Sequence, residues 1–168
     1  MPMEETNQYF SQLYDQYITR IYRFVYLKVS SVETAEDLSS EVFLRLYKRL
    51  REPGREIQNP QAFLYQIARN VVADHYRGRR VTTISIEKTT IEIEDIGDPT
   101  QGQAEVNLEM DRIRQALSQL QDDYQNLIIW RYIDELTVPE IAQIIGKSEG
   151  NIRVGVSRAL EALREKIT

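Results

Sequence analysis

The chain has 168 residues, 42% of them hydrophobic and 28% charged, which suits one ordinary soluble domain or two small ones and is too apolar for wholesale disorder. It has no cysteine and a single histidine, His75, so disulfides, thiolate metal sites and cysteine nucleophiles are excluded, and histidine-dependent hydrolysis would rest on one residue in a basic stretch. The net charge of −5 is uneven: residues 1–44 carry −4, 45–80 carry +6, 81–124 carry −7 and 125–168 are neutral.

A basic block followed by an acidic one suggests a nucleic-acid surface beside a segment that avoids it, and a merely solvated basic helix face is the alternative. The opening residues MPMEETNQYF lack a charged-then-apolar signal pattern, and no apolar run approaches a membrane span. A cytoplasmic chain without membrane insertion is therefore expected. Over 9–28, Leu13, Tyr17, Ile21, Phe24 or Val25, and Val29 recur at helical spacing and predict a first helix. Ser30 and Ser31 offer caps for a second, whose stripe is Leu38, Val42, Leu46 and Leu50 and which Pro53-Gly54 ends. Pro60 opens a third, with Phe63, Leu64, Ile67, Val71 and Val72 inside and Arg69, Asn70, Asp74, Arg77 and Arg79 turned elsewhere.

Residues 81–104, rich in acid with Gly97, Asp98, Pro99 and Gly102, read as a linker. Within it Ile84-Ser-Ile86 and Ile91-Glu-Ile93 alternate with period two, as a short hairpin or a strand offered to a partner would. Helical spacing returns at Val106, Met110, Ile113 and Leu117, then at Leu120, Tyr124, Leu127, Ile128 and Tyr132.

The stretch from Leu136 to Arg153, with the helix that it opens, predicts a helix-turn-helix. Thr137 with Glu140 three residues on forms a capping box, Pro139 lies in the first turn, Ala142 keeps the helix slim, and Gly146 permits a tight turn. Ser148 caps the second helix, whose Ile152, Val156, Ala159 and Leu163 face inward and leave Arg153, Val154, Ser157 and Arg158 outward. An αα-hairpin packed for its own sake would use the same caps.

Four stretches carry a family resemblance. Residues 13–17, Ala35-Glu36-Asp37-Leu38-Ser39-Ser40-Glu41-Val42-Phe43-Leu44-Arg45-Leu46-Tyr47 and Ala62-Phe63-Leu64-Tyr65-Gln66-Ile67-Ala68-Arg69-Asn70-Val71-Val72-Ala73-Asp74 resemble conserved region 2 of extracytoplasmic-function sigma factors, and 120–163 resembles their region 4. The resemblance implies an all-α protein of two small helical domains, a region 2 bundle over 9–80 and a region 4 helix-turn-helix over 105–168, joined by a flexible acidic linker over 81–104. It further implies a subunit that brings RNA polymerase core to promoters, needs no cofactor and catalyses nothing itself.

By the same resemblance Asp37, Leu38, Glu41, Phe43 and Arg45 would dock on the beta-prime clamp, with region 4 near the beta flap, although Phe43 could simply pack in the core. Phe63, Tyr65, Arg69, Asn70, Asp74, Arg77, Arg79 and Arg80 would hold the minus-10 element, with arginines on phosphates and an aromatic ring taking an unstacked base. Core packing is the alternative for Phe63, and His75 reads as a neighbour of DNA. The loop 51–59 stands where the family captures a base. Lys147, Ser148, Asn151, Arg153, Val154, Ser157 and Arg158 would meet the minus-35 duplex, on a helix less basic than in many relatives because Val154, Gly155 and Leu160 stand where serine or arginine is common. An anti-sigma factor or another DNA-targeting protein is a further expected partner. The rival functions are a stand-alone helix-turn-helix regulator, which would dimerise on paired half-sites, and a helical module that binds only protein.

Overall fold

The computed structural model describes residues 2–86 and 101–167; for 79–86 and 101–107 it describes only the helical backbone. The first half comprises α1 (Met3–Val29), α2 (Val32–Leu50) and α3 (Pro60–Ile86). The first helix begins earlier than the apolar stripe does, at Met3, with Glu4 and Glu5 in a first turn whose dipole favours acid. It ends at Ser30, which takes the left-handed conformation (φ 63°) and donates its N–H to the Tyr26 carbonyl at 2.9 Å. Ser31 alone then caps α2, its Oγ accepting from the Thr34 N–H at 3.2 Å. Asn59 does the same for α3 through the Ala62 N–H at 3.1 Å, so Pro60 sits where its missing N–H costs nothing.

Periodicity in these helices becomes burial. Leu13, Tyr17, Ile21, Phe24 and Val25 of α1 pack with Val42 and Leu46 of α2 and with Leu64, Ala68 and Val71 of α3. Each large side chain so removed from water stabilises the bundle by ~1.5–3 kcal/mol.

The second half comprises α4 (Gln101–Ser118), α5 (Asp122–Ile128), a single π-helical turn over Ile129–Ile133, α6 (Val138–Ile145) and α7 (Glu149–Ile167). Within the stretch expected as a linker, 81–104, α3 continues to Ile86 and α4 starts at Gln101. Ile84-Ser-Ile86 is helical and not strand-like, because extending a nucleated helix is easier than starting a strand from three residues. Ile91-Glu-Ile93 lies outside the described residues. Among the described residues no helix is long and apolar enough to cross a membrane.

The two halves pack together along a seam. Helix α4 lies on α1, where the Tyr26 hydroxyl donates to Asp111 at 2.9 Å, and α6 lies on α3, where Gln66 donates its amide to the Ile144 carbonyl at 3.0 Å.

Candidate nucleic-acid and partner interfaces

Helix α2 has one face in the bundle and one in water. Asp37 and Arg45 are exposed, Glu41 is partly so and pairs with Arg45 at 2.9 Å, and Leu38 is half-buried. Phe43 corrects the reading of this face: it is 3% exposed, its ring meeting Tyr14 at 4.9 Å and Phe10 at 6.4 Å in the core. The apolar residue that this face does present is Leu44, 46% exposed between Glu41 and Arg45. Counting 100° per residue from Asp37 would have found it, because Leu44 lies seven residues on and returns to the same side.

Helix α3 separates the proposed minus-10 residues. Phe63, Asn70 and Arg77 recur at sevens with Asp74 between them, and all four share one face. Asn70, Asp74 and Arg77 are exposed, Arg77 and Asp74 form an ion pair, and Arg69 is half-buried. Phe63 is half-buried beneath the Arg49 guanidinium, 5.3 Å from the ring centre, beside the loop 51–59. That loop turns on Gly54 (φ 78°), and with Tyr9 and Arg49 it lines a cleft of about 960 Å³. His75 is half-buried against the Tyr76 ring. Arg79 and Arg80 continue the helix, with side chains outside the described ones.

Tyr65 is on another side of α3 and fully buried, so it is not open to a base in this arrangement. Its ring forms an aromatic trio with Phe24 of α1 and Trp130 of the π-helical turn. Phe24 and Trp130 stack at 5.7 Å and 12°, and Tyr65 stands edge-on to both at 6.0 Å. The Tyr65 hydroxyl donates to Asp134 Oδ2 at 2.5 Å, and Arg23 donates to Asp134 Oδ1 through Nη2 at 2.5 Å and Nε at 3.1 Å. Burial, with the Asp134 carboxylate beside it, pushes the Tyr65 phenol far above its usual range. Sequence reasoning passed over Trp130 and Asp134, whose partners lie in the other half of the chain.

Around the seam, Lys28 is buried and paired with Asp122, its carbonyl accepting from the Tyr76 hydroxyl, and burial lowers the Lys28 amine below the ordinary lysine range. Gln61 donates to Glu140 Oε2 at 2.7 Å.

The helix-turn-helix forms as its caps predict. The Glu140 N–H donates to Thr137 Oγ1 at 3.2 Å and the Thr137 N–H to Glu140 Oε1 at 2.9 Å, while Gly146 turns at φ 77° and Ser148 Oγ accepts from the Asn151 N–H at 3.2 Å. On α7, Ile152, Val156 and Ala159 are buried, and Asn151, Arg153, Val154, Ser157 and Arg158 are exposed, as are Lys147 and Ser148 in the turn. Arg153 leans back to Glu149 at 3.5 Å. Gly155 lies so close to α5 that a Cβ there would stand 3.0 Å from Leu127 Cδ1.

A three-helix bundle packed against a helix-turn-helix, each with an exposed polar and basic face, is the layout of a two-part promoter-binding initiation factor. The sigma-70 region 2 family model matches residues 13–82, and the sigma-70 region 4 model matches residues 110–163. The chain is 35% identical over 157 residues to the extracytoplasmic-function RNA polymerase sigma factor BldN of Streptomyces coelicolor, covering 92% of this chain and 58% of BldN. To SigW of Bacillus subtilis, named for the same function, it is 29% identical over 168 residues, covering 94% of this chain and 88% of SigW. The fold resembles the sigma factor RpoE from the Bartonella quintana complex with anti-sigma factor NepR, with a TM-score of 0.68 at 24% identity over 94% of this chain and 96% of that one. The chain belongs to the extracytoplasmic-function group of the sigma-70 family, whose members bind RNA polymerase core and direct promoter-specific initiation.

Proposed function

We propose that this sigma factor divides its work among three faces and catalyses no covalent step, acting in the cytoplasm. Asp37, Leu38, Glu41 and Arg45, with Leu44 at their centre in place of Phe43, dock on the polymerase clamp, while region 4 meets the beta flap. Asn70, Asp74 and Arg77, with Arg69, Arg79 and Arg80 on the same helix, hold the minus-10 strand beside Phe63, and the outward face of α7 with Lys147 and Ser148 reads the minus-35 duplex. The domain division follows, with region 2 over 9–80 and region 4 over 105–168. An anti-sigma factor is a fitting further partner.

The observation that carries this reading is the seam. Elements named for positions −10 and −35 stand roughly 25 base pairs apart, on the order of 85 Å at 3.4 Å per pair. Helices in contact lie only ~8–10 Å apart, and α6 rests directly on α3. One chain can serve both elements only after the halves part, whereas the α2 docking face is already open. Polymerase docking therefore precedes engagement of both elements, and parting the halves uncovers Tyr65.

Run-off transcription with purified core polymerase on genomic fragments, with start-site mapping, tests the function. Discrete starts that depend on this chain and are lost on Leu44→Arg are expected. Tight, specific promoter binding by the free chain, unchanged by core polymerase, would overturn it.

A further inference from the structure

Resting on the reading of α7 as the minus-35 helix, we infer that Val154 recognises a thymine 5-methyl group in the major groove. The orientation of α7 is set from behind: Ile152, Val156 and Ala159 are buried, and Gly155 lets the helix settle close against Leu127. At about 100° per residue, those three point in a mean direction from which Val154 lies about 170° away, more directly opposed than Asn151, Arg153 or Arg158. Within 149–158, the part of the helix nearest the turn, the residue at the crest is thus a branched apolar one, 49% exposed, and Glu161 shares its line two turns further on.

Packing gives no reason for it. Valine is a poor choice for an exposed helix position, since its χ1 freedom is lost against the preceding turn. It has no hydrogen-bonding group and so cannot read purine N7, guanine O6 or an exocyclic amine. The one apolar feature on a major-groove edge is the thymine methyl. Asn151 and Arg158 flank Val154 one turn to either side on the same face, and their side chains suit adenine and guanine respectively. Ser148 and Gly150 at the start of the helix add no bulk: a Cβ at Gly150 would meet nothing within 4 Å, which leaves the crest free to approach the base edges.

The test uses holoenzyme, made from the full chain and core polymerase, on a mapped promoter. Each thymine of the minus-35 segment is replaced in turn by deoxyuridine, which removes only the methyl, and affinity is measured by competition. Burial of one methyl group predicts a loss of about three- to fourfold at one thymine. Val154→Ala, a change at an exposed position, should weaken the parent promoter similarly and abolish the difference between thymine and deoxyuridine there. The inference is overturned if every deoxyuridine promoter binds like the parent, if the methyl effect persists in Val154→Ala, or if the protected segment holds no thymine. Failure of the underlying reading has a separate signature: scrambling the whole minus-35 segment would then leave affinity unchanged, whereas failure of this inference alone leaves the scrambled promoter weak.

Discussion

The contacts that shape the helix-turn-helix are short in sequence, Thr137 with Glu140 and Ser148 with Asn151, whereas those that close the seam reach 69 residues from Tyr65 to Asp134 and 111 from Arg23 to Asp134. The first kind forms wherever the local chain folds. The second exists only when both halves are present and docked, so it can be undone without unfolding either half. That difference suits the proposed parting of the two halves on the polymerase.

The largest expected effect comes from emptying the seam. Trp130→Ala removes a fully buried ring from the trio it forms with Phe24 and Tyr65, and large-to-small changes of this kind cost ~3–5 kcal/mol. Calorimetry should show one transition for the parent and two for the variant, as its halves melt separately. A single transition at the parent temperature would mean that the trio is not what joins them.

Next comes Asp134→Ala, which leaves the Tyr65 hydroxyl buried without an acceptor. Such a loss costs ~1–3 kcal/mol, softened because the Arg23 side chain is 30% exposed and water can reach it. Proteolysis of the free chain between the halves should quicken, while region 4 keeps its own melting behaviour. Equal destabilisation of an isolated region 4 fragment, provided that it folds, would place the role of Asp134 inside that half.

Inside region 4 a matched pair of glycines gives opposite signs. Gly150→Ala meets open space and should stabilise α7 by up to ~1 kcal/mol. Gly155→Ala forces a methyl to 3.0 Å from the buried Leu127 side chain and should destabilise by ~1–3 kcal/mol. Leu127→Val, which draws the methyl back, should narrow the difference, and a stabilised Gly155→Ala would show that α5 yields easily.

The same contrast separates what the sequence discloses from what it hides. Thr137, Glu140, Gly146 and Ser148 were legible because capping chemistry acts over three or four residues. The stripe through Leu127 and Ile128 was legible until the π-helical turn over Ile129–Ile133, where the i to i+5 bond from Asp134 to the Ile129 carbonyl shifts the register. Tyr132, which a continued α-helix would bury, is consequently half exposed, and Trp130 turns into the seam. The family resemblance put Phe43 on the docking face, and the resemblance with its aromatic ring put Tyr65 beside DNA. Helical position would have separated Tyr65 from Asn70 and preferred Leu44, but only the docked halves reveal that Asp134 covers Tyr65.

The smallest effect joins the two kinds of contact in one side chain. Glu140 accepts the Thr137 backbone N–H within its cap and the Gln61 amide across the seam, and these bonds, in that order, hold its carboxyl below the ordinary 4.5. The unfolded chain therefore binds the proton more readily than the folded one, so this contribution is full above pH 4.5 and is lost as pH falls through the lower, folded-state value. Glu140→Gln keeps an acceptor for the cap, as the motif allows, but removes a negative charge from the start of α6, a loss of ~0.3–1 kcal/mol at neutral pH. Denaturant melts from pH 7 to pH 3 should show the variant weaker at neutral pH and converging on the parent in acid. In a Gln61→Ala background, Glu140→Gln should still be weaker at neutral pH and converge on Gln61→Ala alone in acid if the cap dominates. If the Gln61 change alone removes most of the acid dependence, the seam, not the cap, is what the Glu140 charge serves.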